Sequence, residues 1–165
     1  MRKLSCIIIL LMVSWSCKDK ENTSQDDGNE ELVFNYQKMP KRVAINPEAT
    51  AIVKEWKEFN DLTTSFDVLY KAKNNEDLVL AIDDLIEKEG LLAKSEHPTV
   101  FDEFQIKSRQ RVVKTYLLKV KANILDNRET TEPTIKMLEA YNAFRKQLNV
   151  IVNSQLDKKL ILDEG

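Results

Sequence analysis

From Asn46 onward the apolar side chains recur at the spacing of one helix face. Ile52, Trp56, Phe59, Thr63, Phe66 and Tyr70 follow each other at intervals of 4, 3, 4, 3 and 4 residues, with Leu62 and Leu69 widening the stripe. Asn46 before Pro47 reads as an N-cap followed by proline at the first helical position, where its missing N–H costs nothing. The pattern predicts a first helix from Pro47 to about Lys73. Asn74, with Asp77 three residues on, is a capping box with Asp in place of Glu. It opens a second helix marked by Leu78, Ile82, Leu85, Ile86 and Leu92, with Gly90 near its end. Ser95-Glu96-His97-Pro98 punctuates the chain, since the residue before a proline is pushed away from helical dihedrals. A third helix is expected from about Pro98 to Asp126, on Ile106, Gln110, Val113, Leu117, Val120 and Ile124. Thr131 is expected to cap a fourth, with Pro133 in its first turn, carried by Met137, Tyr141, Phe144, Leu148 and Ile151 to about Leu156.

Four amphipathic helices with short connections predict an all-α fold. The expected architecture is an antiparallel up-down-up-down four-helix bundle over residues 46–165. At 1.5 Å per residue, a helix of about 27 residues is a rod about 40 Å long. Two stacked hairpins of a helical-repeat type are the rival, but no period near 34 residues with matching signatures is visible. Three glycines and four prolines among 165 residues argue against a β-sandwich, which needs frequent turn signals.

The first 45 residues follow other rules. Arg2 and Lys3 precede an apolar stretch from Leu4 to Val13, then Ser14, Trp15, Ser16 and Cys17. This stretch is shorter than the roughly 20 residues that span a bilayer, and Lys18-Asp19-Lys20-Glu21 follows at once. Its length suits the apolar core of an export signal, about 7–15 residues. The segment MRKLSCIIILLMVSWSC resembles a bacterial lipoprotein signal of the Bacteroidota type, with Ser16 as the small residue before the cysteine. The resemblance implies cleavage after residue 16 (so that 1–16 is the signal peptide), acylation of Cys17 by palmitate-type chains, and attachment to the outer membrane. The location implied is the cell envelope, on the periplasmic or the surface-exposed face. A plain secretory signal with a cysteine nearby is the alternative. With Cys6 removed and Cys17 acylated, the mature domain has no thiol left for a disulfide, and must hold together by its core.

Residues 17–45 are expected to form a flexible acidic tether. KDKENTSQDDGNEE, from Lys18 to Glu31, contains no apolar residue and six acids, so it has nothing to bury. Its opening charges also resemble the export tags of some surface lipoproteins. Leu32-Val33-Phe34-Asn35-Tyr36 is too short for an element of its own and is expected to strap onto the helices, while Lys38, Lys41 and Arg42 read as exposed. A net charge of −2 excludes a strongly basic nucleic-acid binder.

Little in the chain signals catalysis. There is no GxSxG, Walker loop, GxGxxG, HExxH, EF-hand loop or haem-attachment motif. The single histidine, His97, lies at a helix boundary without a second His or a mature Cys to help hold a metal, and is expected to be exposed or to cap a helix. No cofactor and no metal are expected. Asp83, Asp84 and Glu87 flank core positions and read as solvated. The third helix carries Lys107, Arg111, Lys114 and Lys121 on one face, with Arg109 and Lys119 nearby and no acid from Gln105 to Leu125. That face suits either an anionic partner or the acidic second helix beside it, which carries Glu76, Asp77, Asp83, Asp84, Glu87 and Glu89. Trp56 and the other aromatics at helical spacing read as core rather than a ligand cage. The expected function is a non-enzymatic, lipid-anchored binding or accessory module, its partners the membrane and an unidentified envelope protein or glycan. An envelope enzyme, or a subunit of one, using carboxylates is the alternative from another class, and a structural spacer is the third.

Overall fold

The computed structural model describes residues 39–163, with side chains from 39 to 155. The signal segment, Cys17, the acidic run after it and Leu32–Lys38 lie outside the described residues. Within them the fold is all-α: five α-helices, a short 3-10 turn and no strand. The helices are α1 (Pro47–Val53), α2 (Lys57–Leu69), α3 (Asn75–Leu92), α4 (Phe104–Leu125) and α5 (Thr131–Asp163), and the 3-10 turn is Thr99–Phe101. In the packing, α4 lies chiefly on α5, α2 on α3 and α3 on α4, while α1 touches both α5 and α2.

The expected first helix is broken in two at Lys54-Glu55-Trp56. The Trp56 N–H turns back to the Val53 carbonyl at 3.0 Å. The Asn60 side-chain amide then donates to the carbonyls of Val53 and Lys54, each at 3.0 Å, and so caps the C-terminal end of α1. The apolar spacing runs through the break, because the kink keeps Trp56 in the core, where it stacks at 5.5 Å on Phe59. A stripe count cannot detect an interruption that preserves the stripe.

The expected third helix starts six residues late. Pro98 is extended, with ψ 137°, and the chain makes a tight turn that buries Phe101 completely before α4 begins at Phe104. At its other end α4 closes on Asn127, whose φ of 50° is left-handed. The Arg128 N–H returns to the Asn123 carbonyl at 2.8 Å and the Asn127 N–H to Ile124 at 3.2 Å, the paired bonds of a Schellman stop.

Caps account for the other starts. Asn46 accepts from the Ala49 N–H at 2.8 Å and Asn74 from Asp77 at 2.7 Å; Asp77 reaches back to the Lys73 N–H at 3.0 Å. At α5 the expected cap, Thr131, is itself the first helical residue, and the capping carboxylate is that of Glu129, which accepts from the N–H groups of Thr131 and Glu132. Helix α5 runs to Asp163, beyond the expected end near Leu156.

The core is aromatic between α2 and α5. Phe66 and Tyr141 stack with centroids 3.6 Å apart and planes 9° from parallel, and Phe59 meets the edge of Phe144 at 5.9 Å. All four rings are at most 1% exposed.

The expected domain boundary at Asn46 leaves out a strap that the helices hold. Asn142 accepts from the Val43 N–H at 2.8 Å and donates to the Lys41 carbonyl at 2.9 Å. Seven residues on, Asn149 accepts from the Asn46 N–H at 2.9 Å and donates to the Ala44 carbonyl at 3.0 Å. Each side-chain amide thus treats the strap as a neighbouring strand would. The two periods match: seven helical residues advance about 10.5 Å, and three extended residues about 10 Å. Asn46 Nδ2 also meets Asn153 at 3.0 Å. Strap and helix therefore run in the same direction. Lys41 and Arg42 keep exposed side chains, as expected.

Candidate functional site

Three places bring polar chemistry together. The first is the basic face of α4. Lys121 pairs with Asp83 of α3 at 2.6 Å, and Lys114 lies 3.5 Å from Glu89 of the same helix. Lys107 pairs with Asp102 just before α4, which holds the Asp102 carboxyl below the usual range through the Lys107 hydrogen bond and charge. Arg111 stands over the exposed Phe104 ring at 5.9 Å. Two of the four face residues thus bind the acidic helix α3, and a third is held by the turn before α4. The carboxylates Asp83, Asp84 and Glu87 remain at the surface, the last two around Lys88. Among the described residues no cluster of three or more His, Cys, Asp and Glu could hold a metal ion, and no helix is long and apolar enough to cross a membrane.

The second is a polar seam between α3 and α4, built from two residues at core register. Glu89 falls four after Leu85 and three before Leu92; Gln110 falls four after Ile106 and three before Val113. Both are buried, Glu89 to 1% exposure. Gln110 Nε2 donates to Glu89 Oε1 at 3.5 Å, and Gln110 Oε1 lies 3.3 Å from His97 Nε2. His97 Nδ1 faces the Ser95 carbonyl at 3.2 Å, and the Trp56 indole N–H donates to Ser95 Oγ at 3.0 Å. His97 is accordingly half-buried with its ring 4.7 Å from Trp56, rather than exposed or capping a helix. Burial pushes the Glu89 carboxyl above its ordinary range, opposed by the Lys114 charge and the Gln110 hydrogen bond. Its Oε2 is sealed from solvent without a well-aligned hydrogen bond, although Lys114 is within ion-pair distance.

The third lies where the strap crosses α2 and α5. A hollow of about 530 Å³ is lined by Met39, Pro40, Lys41, Arg42, Asp67, Tyr70 and Lys71. The Tyr70 hydroxyl donates to the Pro40 carbonyl at 3.0 Å, and burial, then Tyr141, raises its phenol above the ordinary value. Next to it a cleft of about 430 Å³ is bounded by the strap, Thr50 and Val53 of α1, Phe59, Asn60 and Thr63 of α2, and Arg145 of α5. Arg42 borders both hollows and pairs with Asp67. Arg145 is 7% exposed. Its Nε donates to the Val43 carbonyl at 2.6 Å, one Nη to the Tyr141 hydroxyl at 3.2 Å, and its guanidinium lies 5.5 Å over the Tyr141 ring. Tyr141 in turn donates to Thr63 at 3.1 Å.

Sequence reasoning brought neither Glu89 with Gln110 nor Arg145 forward as site residues. The signal for the first pair was present, since both interrupt an apolar stripe with a polar side chain. Arg145 stands one position outside the stripe, and spacing does not reveal what covers that side of the helix.

Comparison with protein-family models, with curated proteins and with solved structures gave no match.

Proposed function

We propose that this chain is a lipid-anchored, non-catalytic helical module of the bacterial cell envelope that works as a binding or accessory component. The anchor is Cys17, acylated after removal of residues 1–16, and the acidic run after it is a leash to the membrane. The setting is the outer membrane, and the partner is an envelope protein or glycan. The helices are arranged as an antiparallel up-down-up-down bundle, with α1 and α2 together as the first arm. Helix–helix contacts between successive arms and the short connections favour that arrangement.

The observation that supports the reading best is the strap. A domain hung from its N-terminal side needs that side fastened to the fold. Here Asn142, Arg145 and Asn149 hold the strap's backbone along two turns of α5. Pull on residue 41 is thereby shared among several hydrogen bonds, each worth about 0.5–1.5 kcal/mol.

The test is metabolic labelling with a palmitate analogue. The wild-type chain takes up label and partitions with membranes; Cys17→Ala remains uncleaved at this position and unlabelled. Label retained by Cys17→Ala removes the anchoring reading.

A further inference from the structure

The cleft between the strap, α1, α2 and α5 is lined by a buried cation that has no carboxylate partner among the described residues. Arg145 carries five N–H donors, and two of them are bonded, to the Val43 carbonyl and the Tyr141 hydroxyl. No carboxylate lies within ion-pair distance of it among the described residues. A guanidinium nine-tenths removed from water without a counter-charge is costly, and its two hydrogen bonds and the face of the Tyr141 ring repay only part of the lost hydration. None of its nitrogens is both sealed from solvent and unbonded, so the nitrogen without a bond keeps contact with solvent, and Arg145 is among the residues that line the cleft.

The walls define what fits. Val43, Ala44 and Ile45 of the strap give the cleft an apolar side, and the buried Val53 and Phe59 close it from behind. The polar groups nearby are largely engaged. Asn60 Nδ2 holds the end of α1, and Thr63 Oγ1 accepts from Tyr141. Arg42, at the rim, is matched by Asp67. The net offer is one positive charge, with a planar fork of donors, facing apolar surface. A dianionic phosphate would ask for more charge and more donors than this. A carboxylate matches the fork in charge and geometry.

We infer that the Arg145 cleft is a binding site for a monoanionic carboxylate carried on a small apolar body, held by the guanidinium and seated against Val43, Ala44 and Ile45 of the strap. The inference uses the strap and the helices it lies on, and holds whether or not Cys17 is acylated. Its failure is therefore separate from failure of the anchoring reading.

The experiment titrates the full chain in detergent with benzoate, with benzamide as the uncharged isostere and with inorganic phosphate. Binding is followed by calorimetry and by the Arg145 side-chain N–H resonances. Benzoate is expected to bind saturably and to move those resonances, and benzamide and phosphate to do neither. Thr50 is exposed on α1 at the mouth, so Thr50→Trp should block the cleft while leaving the melting temperature of the unliganded chain nearly unchanged. Arg145→Lys keeps the charge and removes the fork, and should weaken benzoate by about tenfold or more. Absence of benzoate binding, equal binding of benzamide, tighter binding of phosphate, or benzoate binding that survives Thr50→Trp would each overturn the inference.

Discussion

Helix α5 has two faces that do different work with the same periodicity. One carries Met137, Tyr141, Phe144, Leu148 and Val152, all buried, and closes the core. The other carries Asn142, Arg145, Asn149 and Asn153, and is covered by the strap. The apolar face gains stability from area removed from water, which is large but indifferent to small shifts of position. The polar face gains less, yet each bond needs a particular backbone group at a particular height, so it fixes where the strap lies. The lesson is that the core stripe sets how the helices associate, and the neighbouring polar stripe sets where the entering chain is fastened. The same polar face also leaves one guanidinium with more donors than the strap can use.

The strongest way to break this contrast is at the apolar face. Phe144 is fully buried against the edge of Phe59. Phe144→Ala should cost about 3–5 kcal/mol, a large share of the roughly 5–15 kcal/mol that holds a typical domain. The measurement is the denaturant midpoint, and a loss near zero would mean that this stripe is not the core.

At the polar face the effect should be smaller and local. Asn149→Ala removes both bonds to Ala44 and Asn46 and should cost about 1–3 kcal/mol. Limited proteolysis should then cut near Ala44 sooner than in the wild type, while the helical circular-dichroism signal is retained. Equal loss of both would erase the distinction between the faces.

The seam between α3 and α4 sharpens the comparison, since there a carboxylate sits at core register. Burial raises the Glu89 carboxyl above its ordinary 4.5. The folded chain therefore binds this proton more tightly than the unfolded chain does. The contribution of Glu89 is most favourable below that ordinary value and is lost as pH rises through the raised folded value. Unfolding free energies of wild type and Glu89→Gln, compared across that window, should show the wild type losing ground as pH rises. A difference independent of pH would contradict burial of the charge.

The smallest change concerns Gly90, in the last turn of α3, where an added Cβ would meet nothing within 4 Å. Gly90→Ala should stabilise by about 0.5–1 kcal/mol, read as a rise in melting temperature, and should leave both faces of α5 unaffected.

These elements show how far a sequence carries. The stripes in α2, α3, α4 and α5 were legible, because burying one face of a helix forces a 3.6-residue period. The break at Trp56 was not, since it rests on Asn60 bonding to carbonyls six and seven residues earlier in the chain. The late start of α4 was half legible: Pro98 marks the place, but the turn that buries Phe101 depends on where the core lies. Glu89 and Gln110 stood in plain register, and reading the first as surface charge and the second as one more position of the stripe missed a polar pair inside the protein. The basic face of α4 was legible as a pattern, and its engagement with Asp83, Glu89 and Asp102 depends on which helix lies beside it. The strap was invisible because its partners are 99 to 107 residues away in the chain, and polar residues beside a stripe ordinarily face water.

Hydrogen exchange of the Val43 and Asn46 amides is the most direct test of the contrast, because each of these N–H groups is bonded to a side chain of α5 and not to backbone. In Asn142→Ala/Asn149→Ala both amides should exchange much faster than in the wild type, while Leu117 and Leu148 in the α4–α5 core keep their protection. Unchanged protection at Val43 and Asn46, or loss of protection at Leu117 and Leu148 to the same degree, would show that the polar face does not fasten the strap.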